Sequence, residues 1–153
     1  MAAMTDEERD AFLLEVRLGN IAVGRVGKGP LLAPIWYSYT VGGTVDMCMG
    51  ATSAKAHRIR AEGRATLSVV DPGSKGVYRY VAVEGPMTLT ELGDGTRDAI
   101  LRMSSRYLGD KGGQRYTDNF MKNLADDDLM AGHGTTEVLA SIQPALWRTE
   151  VLG

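Results

Sequence analysis

The sequence predicts an α+β domain, mainly β, in which antiparallel strands form a closed or half-closed barrel. Three observations lead to this prediction. Short runs in which apolar and polar residues alternate recur along the chain, which is typical of half-buried strands. Glycine-rich turns separate the early runs, as in β-hairpins. Helical patterns come between the hairpins, which favours an α+β domain built on an antiparallel sheet.

Length and composition indicate one ordinary domain. The 153 residues are close to the usual size of a single domain, so we expect residues 1–153 to form one unit. A net charge of −2 and an isoelectric point near 5.7 argue against a general nucleic-acid surface. The polar N-terminus is unlike a secretion signal, and no apolar run is long enough for a bilayer. We therefore expect a cytoplasmic protein that binds neither nucleic acid nor membrane.

The first element is a helix, predicted over residues 5–18. Thr5 and Glu8 have the spacing of a capping box, in which each side chain bonds the other residue's backbone N–H. Gly19 is a natural end for this helix.

Three strand-like runs follow the helix. They read "NIAVGRV", "PLLAPIWYSYTV" and "TVDMCMG", and turns at residues 27–29 and 42–43 separate them. Alternation along the second run places Tyr37 and Tyr39 on one face of the sheet and Trp36 on the other.

A short helix and two more strands come next. Ser53 is a suitable N-cap for a helix over residues 54–62, and Gly63 supplies its end. After the strand "RATLSVVD" and a turn, the long run "VYRYVAVEGPMTLTE" predicts one strand, kinked or bulged at Gly85 and Pro86.

The last third of the chain begins with a helix, predicted over residues 94–108 and ended by Gly109. Residues 110–135 read as loops around a short helix that carries Tyr116, Phe120 and Leu124. The run "EVLASIQPALWRTEV" predicts a strand on each side of Pro144.

No residue pattern identifies a catalytic group or a metal site. Zinc-ligand spacing and phosphate-loop motifs are absent from the sequence. His57 is expected on a solvent-facing helix position, and His133 and the acidic run 126–128 in exposed loops. Cys48 alternates with methionines in a strand, which favours a buried or half-buried thiol over a nucleophile.

The basic start of the short helix is the clearest candidate site. Cations are normally unfavourable at a helix N-terminus, yet Lys55 lies in the first turn and Arg58 one turn later, on the same side. An anion bound at this end would explain them, with the Thr52 and Ser53 hydroxyls as further donors. The alternative is a solvated basic helix whose charges pair with acidic residues such as Glu62.

The aromatic residues leave their role open. Tyr78 and Tyr80 share one face of the long strand, as Tyr37 and Tyr39 do on theirs. Such residues are mostly core or dimer interface, although a planar ligand could also stack on them.

The order of three segments resembles a known family. "GKGPLLAPIWY", "TSAKAHRIRAEGRATLSVVD" and "YRYVAVEGPMTLTE" are similar to the split β-barrel of the pyridoxamine 5'-phosphate oxidase-like superfamily. The similarity is strongest to the actinobacterial flavin and deazaflavin oxidoreductases. The "MSSRYLG" segment gives weaker support. The resemblance implies an FMN-binding-like split barrel that forms a homodimer with two cofactor sites at its interface.

The resemblance also implies which residues hold the cofactor. Phosphate contacts would come from Thr52, Ser53, Lys55 and Arg58. The ring system would lie against Pro34, Ile35, Trp36, Met49 and Gly50. The partner chain would contribute Tyr78, Arg79 and Tyr80.

The implied activity is that of an oxidoreductase with a small-molecule substrate. The cofactor would be coenzyme F-420, an 8-hydroxy-5-deazaflavin that transfers a hydride to a small hydrophobic molecule, or alternatively FMN. A non-catalytic carrier of flavin or deazaflavin would use the same pocket, and an interaction domain with an empty site is a weaker alternative. The catalytic acid or base and the substrate are left unassigned.

Overall fold

The computed structural model describes residues 2–74, 76–124 and 136–153. The elements in chain order are α1 (Asp6–Leu14), β1 (Gly19–Val23), β2 (Leu31–Ile35), β3 (Ser38–Tyr39), β4 (Val45–Gly50), α2 (Ala54–Glu62), β5 (Arg64–Asp71), β6 (Tyr78–Glu91), a 3-10 turn (Gly93–Gly95), α3 (Thr96–Leu124), β7 (Glu137–Ile142) and β8 (Leu146–Leu152). The mainly β, α+β architecture predicted from the sequence is confirmed.

The strands form one curled antiparallel sheet in the order β2-β1-β5-β6-β7-β4-β3, and β8 pairs with β6. Strand β6 takes part in both halves of the barrel. Its first part pairs with β5 and β8, and its second part pairs with β7.

The change of partners occurs at the predicted kink. A Cβ atom on Gly85 would lie 1.9 Å from the carbonyl oxygen of Gln143, so only glycine fits beneath the β7–β8 connection. Backbone hydrogen bonds from Gln143 to Pro86 and from Ala145 to Glu84 fasten that connection on both sides of the glycine. The glycine therefore allows one strand to serve two sheets.

The barrel interior is apolar and well filled. Tyr37 and Tyr39 are buried while Trp36 is half-buried, which confirms the predicted alternation. The predicted second strand is divided, however, because pairing stops after Ile35 and resumes at Ser38. Trp36, the first of the two residues in this break, lies on the outer side of the barrel and lines the candidate site.

Helix α1 has the predicted capping box but is shorter than predicted. Thr5 Oγ1 accepts from the N–H of Glu8 at 3.2 Å, and a Glu8 carboxylate oxygen accepts from the N–H of Thr5 at 2.8 Å. The prediction that the helix reaches residue 18 is wrong, because it ends at Leu14. Arg106 donates to the carbonyl oxygens of Leu13, Leu14 and Glu15 and so satisfies the end of the helix.

Helix α2 confirms its prediction at both ends. Ser53 Oγ accepts from the N–H of Ala56 at 3.2 Å, and Gly63 adopts a left-handed conformation with φ of 69°. Ile59 anchors the helix in the core, and His57 is exposed as expected.

Helix α3 differs most from the prediction. Gly109 ends the first half as predicted, and the helix predicted to carry Tyr116, Phe120 and Leu124 is present. The loop predicted before it is wrong, because residues 110–116 are also helical. The backbone at Gly109, with φ of 76° and ψ of 173°, folds the second half back on the first. A Cβ atom on Gly113 would lie 2.2 Å from Ser105 Oγ, so the two halves pack too closely for a side chain at position 113. The expectations for 126–128 and His133 fall outside the described residues.

No helix in the described part of the chain is long and apolar enough to cross a membrane.

Candidate functional site

A cavity of about 400 Å³ lies between α3 and the outer side of the barrel. Strand β2 and the break after it form one wall, β4 and β7 contribute the sheet side, and both halves of α3 complete it. The lining residues are Leu18, Pro34, Ile35, Trp36, Cys48, Ile100, Met103, Tyr116, Phe120 and Glu137. Three residues that the resemblance assigns to the cofactor ring, Pro34, Ile35 and Trp36, thus meet in one cavity.

An aromatic cluster forms the wall at Trp36. The ring of Tyr107 stacks on the indole with a centroid distance of 5.1 Å and an interplanar angle of 10°. Tyr116 lies 5.0 Å from the same indole, tilted by 52°, and Phe120 stacks on Tyr116 at 6.2 Å. Because two tyrosine rings already contact Trp36, its indole acts as a fixed wall of the cavity.

Helix α3 holds the break that carries Trp36. The Tyr107 hydroxyl accepts from the N–H of Tyr37 at 3.0 Å and donates to the carbonyl of Arg17 at 2.7 Å. The Arg106 guanidinium donates to the carbonyl of Tyr37 at 3.0 Å. Through Arg106 and Tyr107 of the "SSRY" segment, α3 therefore contacts the end of α1, the break after β2 and the cavity wall.

Cys48 and Glu137 face the cavity from the sheet. Cys48 pairs with Leu139 across the strands, and Glu137 pairs with Gly50 at the end of β4. Burial, followed by the charges of Glu137 and Asp46, raises the pKa of the Cys48 thiol to about 12. Burial also raises the pKa of Tyr116, with Glu137 the next cause. The Cys48 thiol is half-buried, as predicted, and stays protonated at neutral pH.

The basic turn comprises residues 52–55, and one residue, Ala51, separates it from the end of β4. Ser53 is buried and uses its hydroxyl to cap α2, whereas Thr52 is exposed. The first turn of α2 contains no acidic residue. Lys55 is half-buried and, among the residues that the structure describes, forms no ion pair or hydrogen bond. Within the described part of the chain, the helix thus presents an unpaired cation at its positive end.

Arg58 is engaged within the chain. Its guanidinium donates to the carbonyl of Gly24 at 2.9 and 3.1 Å and to Glu62 at 2.7 Å. Arg60 likewise donates to the carbonyl of Ala51. The alternative interpretation of the basic helix, pairing with Glu62, therefore applies to Arg58 but not to Lys55.

Met49 and Gly50 are the last two residues of β4. They lie between Cys48, which lines the cavity, and the basic turn. The Met49 side chain is 2% exposed and packs in the barrel core, so only its backbone is available to a ligand. Gly50 is buried, and its carbonyl accepts from the N–H of Ser53 at 3.1 Å.

The structure separates the three residues predicted on β6. Tyr78 and Tyr80 share the outer face of the strand, while Arg79 points to the opposite face. Arg79 donates to Asp71 at 2.7 Å, where Arg17 also pairs. Hydrogen bonds from Ser74 and Arg79 hold the pKa of Asp71 well below its usual range. None of the three residues on β6 lines the cavity of this chain.

Several lining residues were not predicted from the sequence. Tyr116 and Phe120 were assigned to a short helix but to no site, although their spacing of four residues is the signal that they share a helix face. The sequence gives no indication that Glu137 lines a cavity, because a single acid at the start of a strand normally lies in solvent. Among the described residues, no three His, Cys, Asp or Glu side chains are placed to hold a metal ion.

Comparisons with known proteins bear on the fold. No protein-family model matches the sequence, and no curated protein matches it significantly. A conserved hypothetical protein of Mycobacterium tuberculosis is 21% identical, with a TM-score of 0.69 over 95% of this chain and 84% of that one. An FAD-binding protein of Mesorhizobium loti is 17% identical, with a TM-score of 0.69 over 99% and 96%. An F-420 reductase is 21% identical, with a TM-score of 0.62 over 90% and 94%.

These similarities establish the split β-barrel fold, which the chain also shares with a pyridoxamine 5'-phosphate oxidase-like protein of Listeria innocua. At these identities they establish the fold alone. The resemblance seen in the sequence is confirmed at that level.

Proposed function

We propose that this chain is an oxidoreductase that binds coenzyme F-420, with FMN as the alternative cofactor, and reduces a small hydrophobic molecule. The observation that carries the proposal is Lys55 in the first turn of α2, which has no ion-pair or hydrogen-bond partner in the described part of the chain. It follows β4, the strand whose Cys48 lines the apolar cavity. The fold shared with an F-420 reductase and an FAD-binding protein supports it.

The basic turn fits a phosphate group. The first backbone N–H groups of a helix have no acceptor within the helix, and their partial positive charge favours an anion. Lys55 adds a full charge, and the exposed Thr52 hydroxyl adds a donor. Ser53 contributes through the cap that fixes the turn. Arg58 is left out of this proposed site because Gly24 and Glu62 hold its guanidinium.

The ring system of the cofactor would lie along the end of β2 and the backbone of β4. Apolar surface for the ring would come from Pro34, Ile35 and Trp36. At Met49 and Gly50 the ring could approach the backbone closely, because no side chain protrudes there. When bound, F-420 supplies a hydride for an electron-poor double bond, whereas FMN also permits one-electron chemistry. The apolar lining excludes water from the substrate, and we assign no catalytic acid or base.

The proposed assembly is a homodimer with cofactor sites at its interface. The outer face of β5, β6 and β8 carries Tyr78 and Tyr80 together with the exposed Val70, Leu146 and Leu152. Contact between two such faces would bury these apolar side chains. That Tyr78 and Tyr80 then reach the partner's site is what the family resemblance implies. Arg79 is not included, because it is bound to Asp71 on the other face.

The test compares ligands with and without a phosphate. We expect Lys55→Ala to weaken FMN and F-420 binding about ten- to hundredfold, because one charge-assisted contact contributes about 1.5–3 kcal/mol. Riboflavin, which lacks the phosphate, should bind the wild type and the variant with equal affinity. Lys111→Ala, an exposed lysine on α3, is the matched control.

Equal loss of FMN and riboflavin binding would show that Lys55 acts on the fold rather than on the phosphate. Unchanged FMN and F-420 binding would remove Lys55 from the site. Tight cofactor binding with no turnover across a broad panel of reducible substrates would indicate a carrier instead of an enzyme.

A further inference from the structure

A separate cleft, with charged and hydroxyl side chains, lies between the first half of α3 and the strands β3, β4 and β7. Its volume is about 260 Å³. Cys48 and Met103 line both this cleft and the apolar cavity, so the two adjoin at these side chains. None of the residues that the resemblance assigns to the cofactor ring lines the cleft. A ligand held here would therefore contact residues outside the proposed cofactor site.

The sheet side of the cleft carries a fixed carboxylate. Ser38, Asp46 and Ser141 are direct cross-strand partners on β3, β4 and β7, so their side chains share one face of the sheet. Asp46 Oδ1 accepts from Thr44 Oγ1 at 2.9 Å and from Ser141 Oγ at 2.6 Å, which holds the carboxylate in place.

The other oxygen of this carboxylate is available. Asp46 Oδ2 and the Ser38 hydroxyl form no hydrogen bond with any residue that the structure describes. No buried side-chain oxygen in the described part of the chain lacks a partner, so both of these atoms are accessible from outside. A ligand that carries an N–H donor can therefore reach them.

The helix side of the cleft carries the opposite charge. Arg102 is exposed on α3 and lines the cleft on the wall across from Asp46. Among the described residues it forms no hydrogen bond or ion pair, neither with Asp46 nor with Asp98 one turn earlier. Both charges reach Cys48, since burial and nearby acids, Asp46 among them, raise the pKa of its thiol and Arg102 lowers it. An acidic and a basic side chain thus face one space without neutralising each other.

A ligand with both charges fits this arrangement better than a ligand with one. An exposed acid and base gain little by closing on each other, because both are well hydrated and lose side-chain freedom. An ammonium group at Asp46 and a carboxylate at Arg102 would form charge-assisted hydrogen bonds at both ends of the ligand. A purely cationic ligand would be repelled by Arg102, and a purely anionic one by Asp46.

The remaining lining favours a small ligand with an aliphatic part. Ala99 and Met103 from α3 and Leu139 from β7 give the cleft apolar surface, and burying aliphatic groups against it adds to affinity. The volume of about 260 Å³ is below the roughly 300–1,000 Å³ of sites for drug-sized molecules.

We propose that this cleft binds a small aliphatic zwitterion of the amino-acid class, with its ammonium group at Asp46 and its carboxylate at Arg102. The Ser38 hydroxyl, next to Asp46, is a further acceptor for the ammonium group. This site goes beyond the proposed function, because it needs neither the cofactor nor its substrate. Failure of FMN and F-420 to bind would count against the proposed function and would leave this proposal unaffected.

Three molecules with the same aliphatic part test the charge requirement. Leucine carries both groups, isoamylamine lacks the carboxylate, and isocaproate lacks the ammonium group. Calorimetric titration of the chain without cofactor should give leucine binding at least about tenfold tighter than binding of either single-charge molecule. Equal affinities, tighter binding of isoamylamine or isocaproate, or no saturable binding of leucine would overturn the proposal.

Two substitutions assign each charge to its residue. Asp46→Asn keeps an acceptor for the Thr44 and Ser141 hydroxyls and should abolish the preference for leucine over isocaproate. Arg102→Gln should abolish the preference for leucine over isoamylamine. Each substitution should leave the other preference within about twofold of its wild-type value.

This crossed pattern distinguishes recognition from a damaged fold, which would weaken all three probes together. Arg115→Gln, at an exposed arginine on the second half of α3, is the matched control and should leave the three affinities unchanged. A leucine preference that survives both substitutions, or an equal loss for every probe in each variant, would refute the assigned roles of Asp46 and Arg102.

Discussion

Tyr107 should contribute to stability through its hydroxyl as well as its ring, and Tyr107→Phe isolates the hydroxyl. The substitution removes the acceptor of the Tyr37 N–H at 3.0 Å and the donor to the Arg17 carbonyl at 2.7 Å. Each lost hydrogen bond costs about 1 kcal/mol net, and a buried N–H left without a partner costs about 1–3 kcal/mol. Because Tyr37 is fully buried, the total should be about 2–4 kcal/mol.

Tyr116→Phe is the matched control for this measurement. Tyr116 also packs its ring against Trp36, but within the described part of the chain its hydroxyl makes no hydrogen bond. Its loss should change the free energy of unfolding by less than about 0.5 kcal/mol. Urea unfolding followed by tryptophan fluorescence measures both variants, and the midpoint should fall for Tyr107→Phe alone while the slope stays constant. Equal stability of the two variants would refute the assignment of Tyr107 as the tie between α3 and the break after β2.

Three further outcomes follow from the same structure. Gly85→Ala should destabilise the chain by about 2–4 kcal/mol, because its Cβ would meet the Gln143 backbone, whereas Gly29→Ala in open space should be nearly neutral in urea unfolding. The pKa of Asp71 is lowered in the folded state, so its stabilisation should be complete above about pH 4 and decline below it; Asp71→Asn should flatten that decline in urea midpoints measured across the acid range. Cys48, with its pKa raised to about 12, should react with iodoacetamide roughly a hundredfold or more slowly than a free cysteine at the same pH, as measured by mass spectrometry. Alkylation at the free-thiol rate would contradict the raised pKa of this half-buried thiol.

Local rules were sufficient to predict most of the barrel. The Thr5 capping box, the Ser53 cap and the alternation of Trp36 with Tyr37 depend on residues within four positions of one another. Gly85 was identified as a kink from its position before proline, although the reason for glycine there is the Gln143 backbone. That contact joins residues far apart in sequence, and no local pattern contains it.

The end of α1 and the second half of α3 were not predictable in the same way. Helix α1 stops at Leu14, and Arg106, more than ninety residues away, donates to its last carbonyls, a contact that no local pattern contains. Gly109 was expected to end a helix, and it does, but the second helical segment starts directly after it, without the loop predicted before the helix that carries Tyr116. The close packing at Gly113 that holds the two segments together is a tertiary contact.

At the candidate site, the sequence predicted the basic turn and the cavity wall at Pro34, Ile35 and Trp36, but not Tyr116, Phe120 and Glu137. Lys55 was identified because a cation in the first helical turn is unfavourable without a compensating anion. Arg58 fits the same pattern, but it pairs with Glu62 one turn along the helix, which is the alternative that the sequence also offered. Arg79, which the resemblance assigns to the partner's site, pairs instead with Asp71. Glu137 became a candidate only when the fold placed it beside Cys48 and Tyr116.

The most direct test of the cofactor assignment is to identify what the chain binds when it is purified from a host that makes both FMN and F-420. Mass spectrometry and absorption of the released ligand should identify one of these two compounds, in about one copy per chain. Release of neither compound, together with no saturable binding of either one by the purified chain, would contradict the assignment.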